Sequence, residues 1–540
     1  MSTPSFRDAF FAGHAAACAL LPRHFADVKT RARAVSEAAA QGLSSEVRDE
    51  LVRQNTPFAT DATRRQLERL HHAGVTFVVT GQQVGLFGGP LYAMHKAASA
   101  IHLAAQLEAE TGTPVIPVFW LQTEDHDAVE ISSATLVDGR DRVHTHSVTL
   151  PGAGRRSVAH LSLPHDVDSI VAELAQLRGQ SPEHEQATAL LQRCWYAGRP
   201  VHEAFAEYVM ATFGHAGLLV LQPRSAALAH VAAPLHEWAI AKQKEIACAL
   251  QTRTAELQSA GFGVQIPIRS NCSLSFVHPD TTDGPRYRLQ WQHDQWVVPG
   301  DGGELRSIPE DQLAQWLTSE PLRFSTSALL RPLLQDRLLP TAAWIGGPAE
   351  VHYMAQVFPL YAMRGQRYPL FVPRASLLWV PEAFANVLHR LELTPGDLAR
   401  GAVEAVRKAQ ARGTAPTGND LPNRISAALL AAFDDTISRF DPELALLGDD
   451  IARATQKTRQ HLAAGLERYA DKLDRSLALQ QASNLYALER VAAWFWPGGQ
   501  PQERTAAWWT ISGRFGTERA AELLLANASP LLPSPREIRL

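Results

Sequence analysis

The stretch Thr80-Gly81-Gln82-Gln83-Val84-Gly85-Leu86-Phe87-Gly88-Gly89-Pro90 constrains this chain more than any other. It follows an apolar run, Val75-Thr76-Phe77-Val78-Val79, that reads as a buried strand, and it leads into an amphipathic helix. In that helix Leu91, Met94, Ala98, Ile101 and Ala105 recur at helical spacing and make one apolar face. Pro90 suits the first helical turn, and Gly112 with Pro114 closes the far end. Strand, glycine-rich loop and helix start together predict an anion-binding corner, where free amides and the positive dipole end meet a phosphate or carboxylate. A tight turn that needs glycine only for backbone reasons has the same spacing, and both remain open.

A second strand, Val115-Ile116-Pro117-Val118-Phe119-Trp120, follows the helix, so the β-α-β order predicts a parallel pair. Gly217 to Leu221, Val264 to Ile268 and Pro369 to Pro373 are further strand candidates. Val143 to Leu150 reads as hairpin material, and Tyr287 to Trp291 with Gln295 to Val298 as an exposed two-stranded insertion. The core is therefore α/β, interrupted by inserts. At 540 residues, two or three structural units are expected.

Beyond about 381 strand signals vanish and charged helical sequence takes over. Ile451, Thr455, Thr458, Leu462, Leu466, Tyr469, Leu473 and Leu477 form a seam whose steps average about 3.7 residues, nearer an eleven-residue repeat than a heptad. The polar loop from Gly413 to Pro422 separates this helix from an earlier one, which predicts an antiparallel helical arm. Such a seam must meet another helix, in this chain or in a second copy.

The net charge of −4 gives no electrostatic case for nucleic acid or a membrane surface as partner. No apolar run approaches the roughly 20 residues that cross a bilayer, and Phe10 to Leu21 reads as a helix rather than a signal peptide. Cys18, Cys194, Cys248 and Cys272 form no CxxC pair, which favours reduced thiols and a cytoplasmic setting.

Glu124-Asp125-His126-Asp127 lies just past the second strand, where loops of a parallel sheet line the ligand crevice. An imidazole between carboxylates should be easier to protonate, and the carboxylates can accept protons or ligate metal. A third cluster holds Arg331, Gln335, Asp336 and Arg337, followed by Gly346-Gly347-Pro348-Ala349-Glu350 and Tyr353. Its arginines offer planar forks for carboxylate or phosphate, or salt bridges to Asp336 and Glu350. Gly346-Gly347-Pro348 repeats the loop-into-helix logic of Gly88-Gly89-Pro90, which points to a ligand with two anionic ends or to two ligands. No GxxxxGK[ST], HExxH or GxSxG pattern occurs, against a P-loop ATPase, a metalloprotease and an α/β-hydrolase.

Taken together, Thr80 to Gln83 through Gly88 to Tyr92 with Lys96, Phe119-Trp120 through Glu124 to Asp127, Leu330 to Thr341, and Gly346 to Glu350 resemble the signature of the bacillithiol-biosynthesis cysteine-adding enzymes, the BshC family. The resemblance covers essentially the whole chain. It implies a Rossmann-like core related to class I aminoacyl-tRNA synthetases and other nucleotidyl transferases, inserted connecting segments, and a long antiparallel coiled-coil arm that makes a homodimer. It implies a ligase that joins L-cysteine to glucosaminyl-malate in the last step of bacillithiol assembly, in the cytoplasm, with ATP as the candidate co-substrate and no metal. The HIGH and KMSKS motifs of synthetases are absent, and Leu91 to Lys96 occupies the first position.

On this basis residues 1–70 are expected to be helices on the core, 71–135 and 216–380 its two halves, and 136–215 an inserted segment. A β insertion near 284–318, an arm over 381–500 and a returning segment over 501–540 complete the division. Lys96 and the glycine loop (Gly85, Gly88, Gly89) are candidates to surround a reacting phosphorus, and Asp125, His126 or Asp127 to take the amine proton. Arg331, Arg337 and Arg374 match the two carboxylates of malate; Gln82, Gln83, Tyr92, Gln335, Asp336, Gly346, Gly347 and Glu350 complete the expected site. A metal-dependent hydrolase or transferase built on Glu124 to Asp127, and a non-enzymatic coiled-coil scaffold, are the competing readings. All of these expectations need the segments near 85, 126, 335 and 347 to converge at one mouth of the sheet.

Overall fold

A run such as Phe77-Val78-Val79, apolar at every position, fits a strand covered on both faces, as central strands of parallel sheets are. In the computed structural model these three side chains are fully buried in β1 (Thr76–Gln82). The structure describes residues 5–177, 181–300, 304–412, 414, 421–480, 482–532 and 535–540. β1 pairs with β2 (Val115–Leu121), which pairs with β3 (Leu219–Leu221). On its other side β1 pairs with β4 (Thr341–Gly346), and β4 with β5 (Leu370–Pro373). All four pairings are parallel and the order is β5-β4-β1-β2-β3. The chain winds outward from β1 to β3, then returns to wind the other way, so the order reverses between β1 and β4. Ligand crevices of open α/β sheets form outside the carboxyl ends of the strands at such a reversal.

Helix α1 (Leu91–Thr111) links β1 to β2 and ends at Gly112, whose φ of 70° closes the helix in a left-handed cap. Pro90 stands just ahead of the first turn, as its N-cap. The shared core beneath the sheet includes Phe6, Phe10 and Val35 from N-terminal helices, together with Trp120, Trp344 and Tyr361.

A second, antiparallel sheet has five strands: Phe324–Thr326, Cys272–Val277, Tyr287–Gln292, Gln295–Pro299 and Leu305–Ile308, in that order. It has its own core, in which Val277, Leu289, Trp296 and Val298 pack against Leu313 and Trp316 of the helix Glu310–Ser319. This corrects the expected exposed two-stranded insertion. The two strands sit inside a larger sheet, and only their outward-facing residues made them look solvated. Val264 to Ile268 forms no strand. Pro267 cannot donate to a ladder, and the Ile266 carbonyl is taken by the Gln356 amide at 2.8 Å.

The chain divides into two compact units, 1–139 with 144–378 and 503–538, and 140–143 with 379–502 and 539–540. In the second unit the helix Leu421–Arg439 packs against Asp449–Gln480, and Arg459 grips Asp434 through two hydrogen bonds of 2.7 and 2.8 Å. Leu466 and Ala470 are buried there, whereas Tyr469 is half exposed and Thr458 exposed. The seam therefore passes through the small Ala470 instead of Tyr469, whose ring turns to solvent. The Leu477 side chain and residues 413 and 415–420 of the expected polar loop lie outside the described residues.

Candidate functional site

A cleft of about 470 Å³ opens at the carboxyl ends of β1 and β4. β1 contributes Gly81, Gln82 and then Gln83; α1 contributes Tyr92 and Lys96; the segment after β2 contributes Glu124, Asp125, His126 and Glu130. Helix α2 (Arg331–Leu338) supplies Arg331, and α3 (Pro348–Val357) supplies Glu350 and Tyr353. Six basic side chains line the cleft against four carboxylates, an imbalance that favours an anionic ligand.

Lys96 is buried at the switch point. Its Nζ donates to Gly81 O (2.9 Å) and Gln82 Oε1 (2.8 Å), and forms an ion pair with Glu350. Glu350 Oε2 also accepts from the Gly347 amide at 2.6 Å, so a carboxylate of the chain itself occupies the start of α3. Burial pulls the Lys96 ammonium below its ordinary range, although Glu350 opposes the shift. Burial also pushes the Tyr92 hydroxyl up to about 12, helped by Glu130 and Glu350.

Across the cleft, Asp125 is held from three directions. Arg286 Nη2 (2.9 Å) and the His126 amide (2.7 Å) donate to Oδ1, and Gln83 Nε2 donates to Oδ2 (2.5 Å). Arg286 Nε donates to His126 Nδ1 at 2.9 Å, which leaves the ring proton of neutral His126 on Nε2. Burial and the Arg286 charge lower the His126 pKa, which reverses the expectation that flanking carboxylates make it easier to protonate. Glu124 faces inward and accepts from Thr326 N (3.0 Å) and Oγ1 (2.5 Å), fastening the antiparallel sheet to the cleft. Burial, Asp127 and Asp125 raise the Glu130 carboxyl above its usual range.

Arg331 is 4% exposed, yet its guanidinium meets only neutral groups, Gln335 Oε1 at 3.0 Å and the Tyr353 hydroxyl at 3.1 Å. Its charge lies 5.3 Å from the Trp344 ring centroid, with no carboxylate in ion-pair range among the described residues. The Arg288 guanidinium has neither hydrogen bond nor ion pair among them and lies over Phe276 at 5.1 Å. Both Nη atoms of Arg374 are bound by Glu503, at 2.8 and 2.7 Å.

The structure thus brings Gln82, Gln83, Tyr92, Lys96, Asp125, His126, Arg331, Gly347, Glu350 and Arg374 to one cleft. Gly85, Gly88 and Gly89 are not in it. They are buried in a loop where Phe87 packs edge-on against Trp195, and the first amide of α1 donates to Ala506 O at 2.8 Å. The expected anion corner is therefore filled by protein. Asp127 turns away to cap the helix Ala128–Ile131, accepting from the Glu130 amide at 3.2 Å. Gln335 and Asp336 are buried behind Arg331, and Asp336 Oδ2 accepts from the Tyr361 hydroxyl at 2.6 Å. Arg337 projects from the opposite face of α2 onto the Val231 carbonyl at 3.1 Å, because its neighbours on that helix face the core. Gly346 stands behind the wall, where a Cβ would lie 3.0 Å from the Trp344 ring.

Sequence inspection missed Arg286, Arg288, Phe276, Thr326, Glu130 and Arg504. The alternation of Arg286, Arg288 and Gln290 was the available signal, a polar face on a strand whose other face is apolar. Among the described residues no group of three or more His, Cys, Asp or Glu side chains is placed to hold a metal ion.

The strand order and the crevice at its reversal define a Rossmann-like α/β protein with a cation-rich switch-point cleft. Residues 14–375 match the family described as bacillithiol biosynthesis BshC, N-terminal Rossmann-like domain, and the chain belongs to the BshC family. A Koribacter versatilis protein named "Putative cysteine ligase BshC" is 33% identical over 88% of this chain and 85% of its own length. Proteins of the same name from Heliobacterium modesticaldum and Salinibacter ruber are 30% and 29% identical, over 85% and 88% of this chain and 83% and 85% of their own lengths.

Proposed function

We propose that this chain is a carbon–nitrogen ligase that joins L-cysteine to the sugar amine of glucosaminyl-malate, completing bacillithiol. The observation that carries this reading is Arg331, a buried guanidinium facing the cleft of a BshC-family chain with no carboxylate partner among the described residues. A buried charge without a counter-ion is costly, and a ligand carboxylate relieves that cost. Malate carries two carboxylates, and Arg288 stands as a second cation without an acidic partner among the described residues.

Amide formation needs a neutral amine. Glu130, with its raised proton affinity, is better suited to take that proton than Asp125, whose oxygens already accept three hydrogen bonds. His126 acts as a donor through Nε2 in this scheme, since Arg286 occupies Nδ1. Neither glycine corner fits a phosphate: one is covered by the chain near Ala506 and the other is filled by Glu350. The means of activating the cysteine carboxylate is therefore not assigned to a nucleotide at either corner. We place the homodimer at the helical pair of the second unit, whose exposed Leu429, Phe440 and Tyr469 leave apolar surface for a partner helix.

The deciding experiment incubates purified protein with cysteine and glucosaminyl-malate, with and without ATP, and looks for the coupled thiol by mass spectrometry. Failure to form it under both conditions would refute the reading.

A further inference from the structure

The buried glycine loop and the chain beyond residue 503 take no part in the scheme above, yet they are built on one another. Besides the Leu91–Ala506 bond, the Trp508 amide donates to Gly89 O (3.1 Å) and the Ala507 amide to Thr135 O (2.8 Å). Gly88 has φ +91°, and a Cβ there would lie 2.9 Å from the Met94 and Tyr208 side chains and 3.0 Å from Trp508 Cβ. The glycines let this segment seat closely on the entrance to α1.

The seat delivers Glu503 to the wall of the cleft. Its carboxylate takes both terminal nitrogens of Arg374, accepts from Ser376 Oγ at 3.0 Å, and lies 3.6 Å from Nδ1 of the fully buried His95. Arg374 is only 6% exposed at its side chain and sits 5.7 Å from the Tyr92 ring centroid, on the same wall as Lys96. A bidentate carboxylate uses the fork with which a guanidinium would otherwise grip a ligand. Of the buried or half-buried arginines on the cleft, Arg286 is held by Asp125 and Arg374 by Glu503, whereas Arg331 and Arg288 have no acidic partner among the described residues.

We infer that Glu503 is a positioning residue that sets specificity. By gripping Arg374 it keeps that guanidinium off the bound anion, so an α-hydroxy dicarboxylate is read by Arg331 and Arg288. The identity of that dicarboxylate as the malate end of the sugar substrate rests on the proposed ligase reading.

The test titrates L-malate calorimetrically into the full chain, Glu503→Gln, Glu503→Asp and the double variant Arg374→Gln/Glu503→Gln, with amide formation by the unsubstituted protein assayed in parallel. Glu503→Gln should bind L-malate about tenfold more tightly, the scale of one added charge-assisted hydrogen bond, while its kcat and KM both fall. Glu503→Asp should stay near the unsubstituted protein, and the double variant should lose the gain. A purely structural Glu503 cannot tighten binding. Unchanged or weaker L-malate binding in folded Glu503→Gln overturns the inference, as does absence of binding in both proteins. If Glu503→Gln does not fold, the double variant decides: affinity within about twofold of the unsubstituted protein supports the inference, and a loss of about tenfold overturns it by making Arg374 a ligand contact. Tighter L-malate binding without any amide product discards the ligase reading and keeps this inference; product without the gain does the reverse.

Discussion

Lys96 and Glu350 form an ion pair across the switch point, although 254 residues separate them in sequence. Each is also tied to backbone, Lys96 to the Gly81 carbonyl and Glu350 to the Gly347 amide, so the pair staples the end of β1 to the start of α3. Removing one partner strands a buried charge, while removing both leaves two neutral groups. Lys96→Met alone should cost about 3–5 kcal/mol in urea unfolding, and Lys96→Met/Glu350→Gln clearly less than the sum of the single losses. Additive losses would contradict a coupled pair.

Arg331 should matter for binding more than for turnover. Arg331→Lys keeps the charge but loses the planar fork, so KM for glucosaminyl-malate should rise about 10- to 100-fold with kcat changed far less. Equal losses in kcat and kcat/KM would place Arg331 in the transition state instead. Arg337→Lys, on the outer face of α2, serves as the comparison and should leave KM unchanged.

His126 gives a pH prediction. Its folded-state pKa lies below its ordinary 6.5, first through burial and then through the Arg286 charge. Between the lowered value and 6.5 the unfolded chain therefore binds more protons than the folded one, and stability should rise with pH across that window. His126→Gln should reduce this slope by one group's share when urea midpoints are measured from pH 7 downward, because His160, His202, His236 and His278 are also held below their ordinary range by burial and contribute with the same sign. A slope undiminished from that of the unsubstituted protein would show that His126 contributes none of it.

Gly88→Ala should destabilise the first unit by at least about 2 kcal/mol, combining a strained positive φ with overpacking. A fall in Tm accompanied by faster proteolysis beyond residue 503 is the expected result. A thermally unaffected variant would show that the loop can open without loss.

The doubly wound core was legible because β1, β2 and β5 are short apolar runs bounded by glycine or proline, and burial on both faces leaves no other use for such runs. The cleft was legible in part for the same reason: residues at the carboxyl ends of those strands must sit near one another. The glycine loop was misread because a backbone that must approach a side chain closely and one that must approach a phosphate need the same residue. Arg337 was misread because Arg331, six residues earlier on α2, lies about 1.7 turns away and on a different face, and Leu333, Leu334 and Leu338 fix which face points inward. Arg286 and Arg288 escaped notice because a strand that pairs polar and apolar faces looks solvated until the sheet that carries it is seen against Glu124 and Thr326.

The bond between Leu91 and Ala506 joins positions 415 apart in the chain. A polypeptide emerging from the ribosome can pair β1 with β2 early, but it cannot lock Arg374 until Glu503 has been made. Catalytic competence should therefore arrive late and all at once, after synthesis of the last segment, and unfinished chains should be inert even where their sheet has already formed.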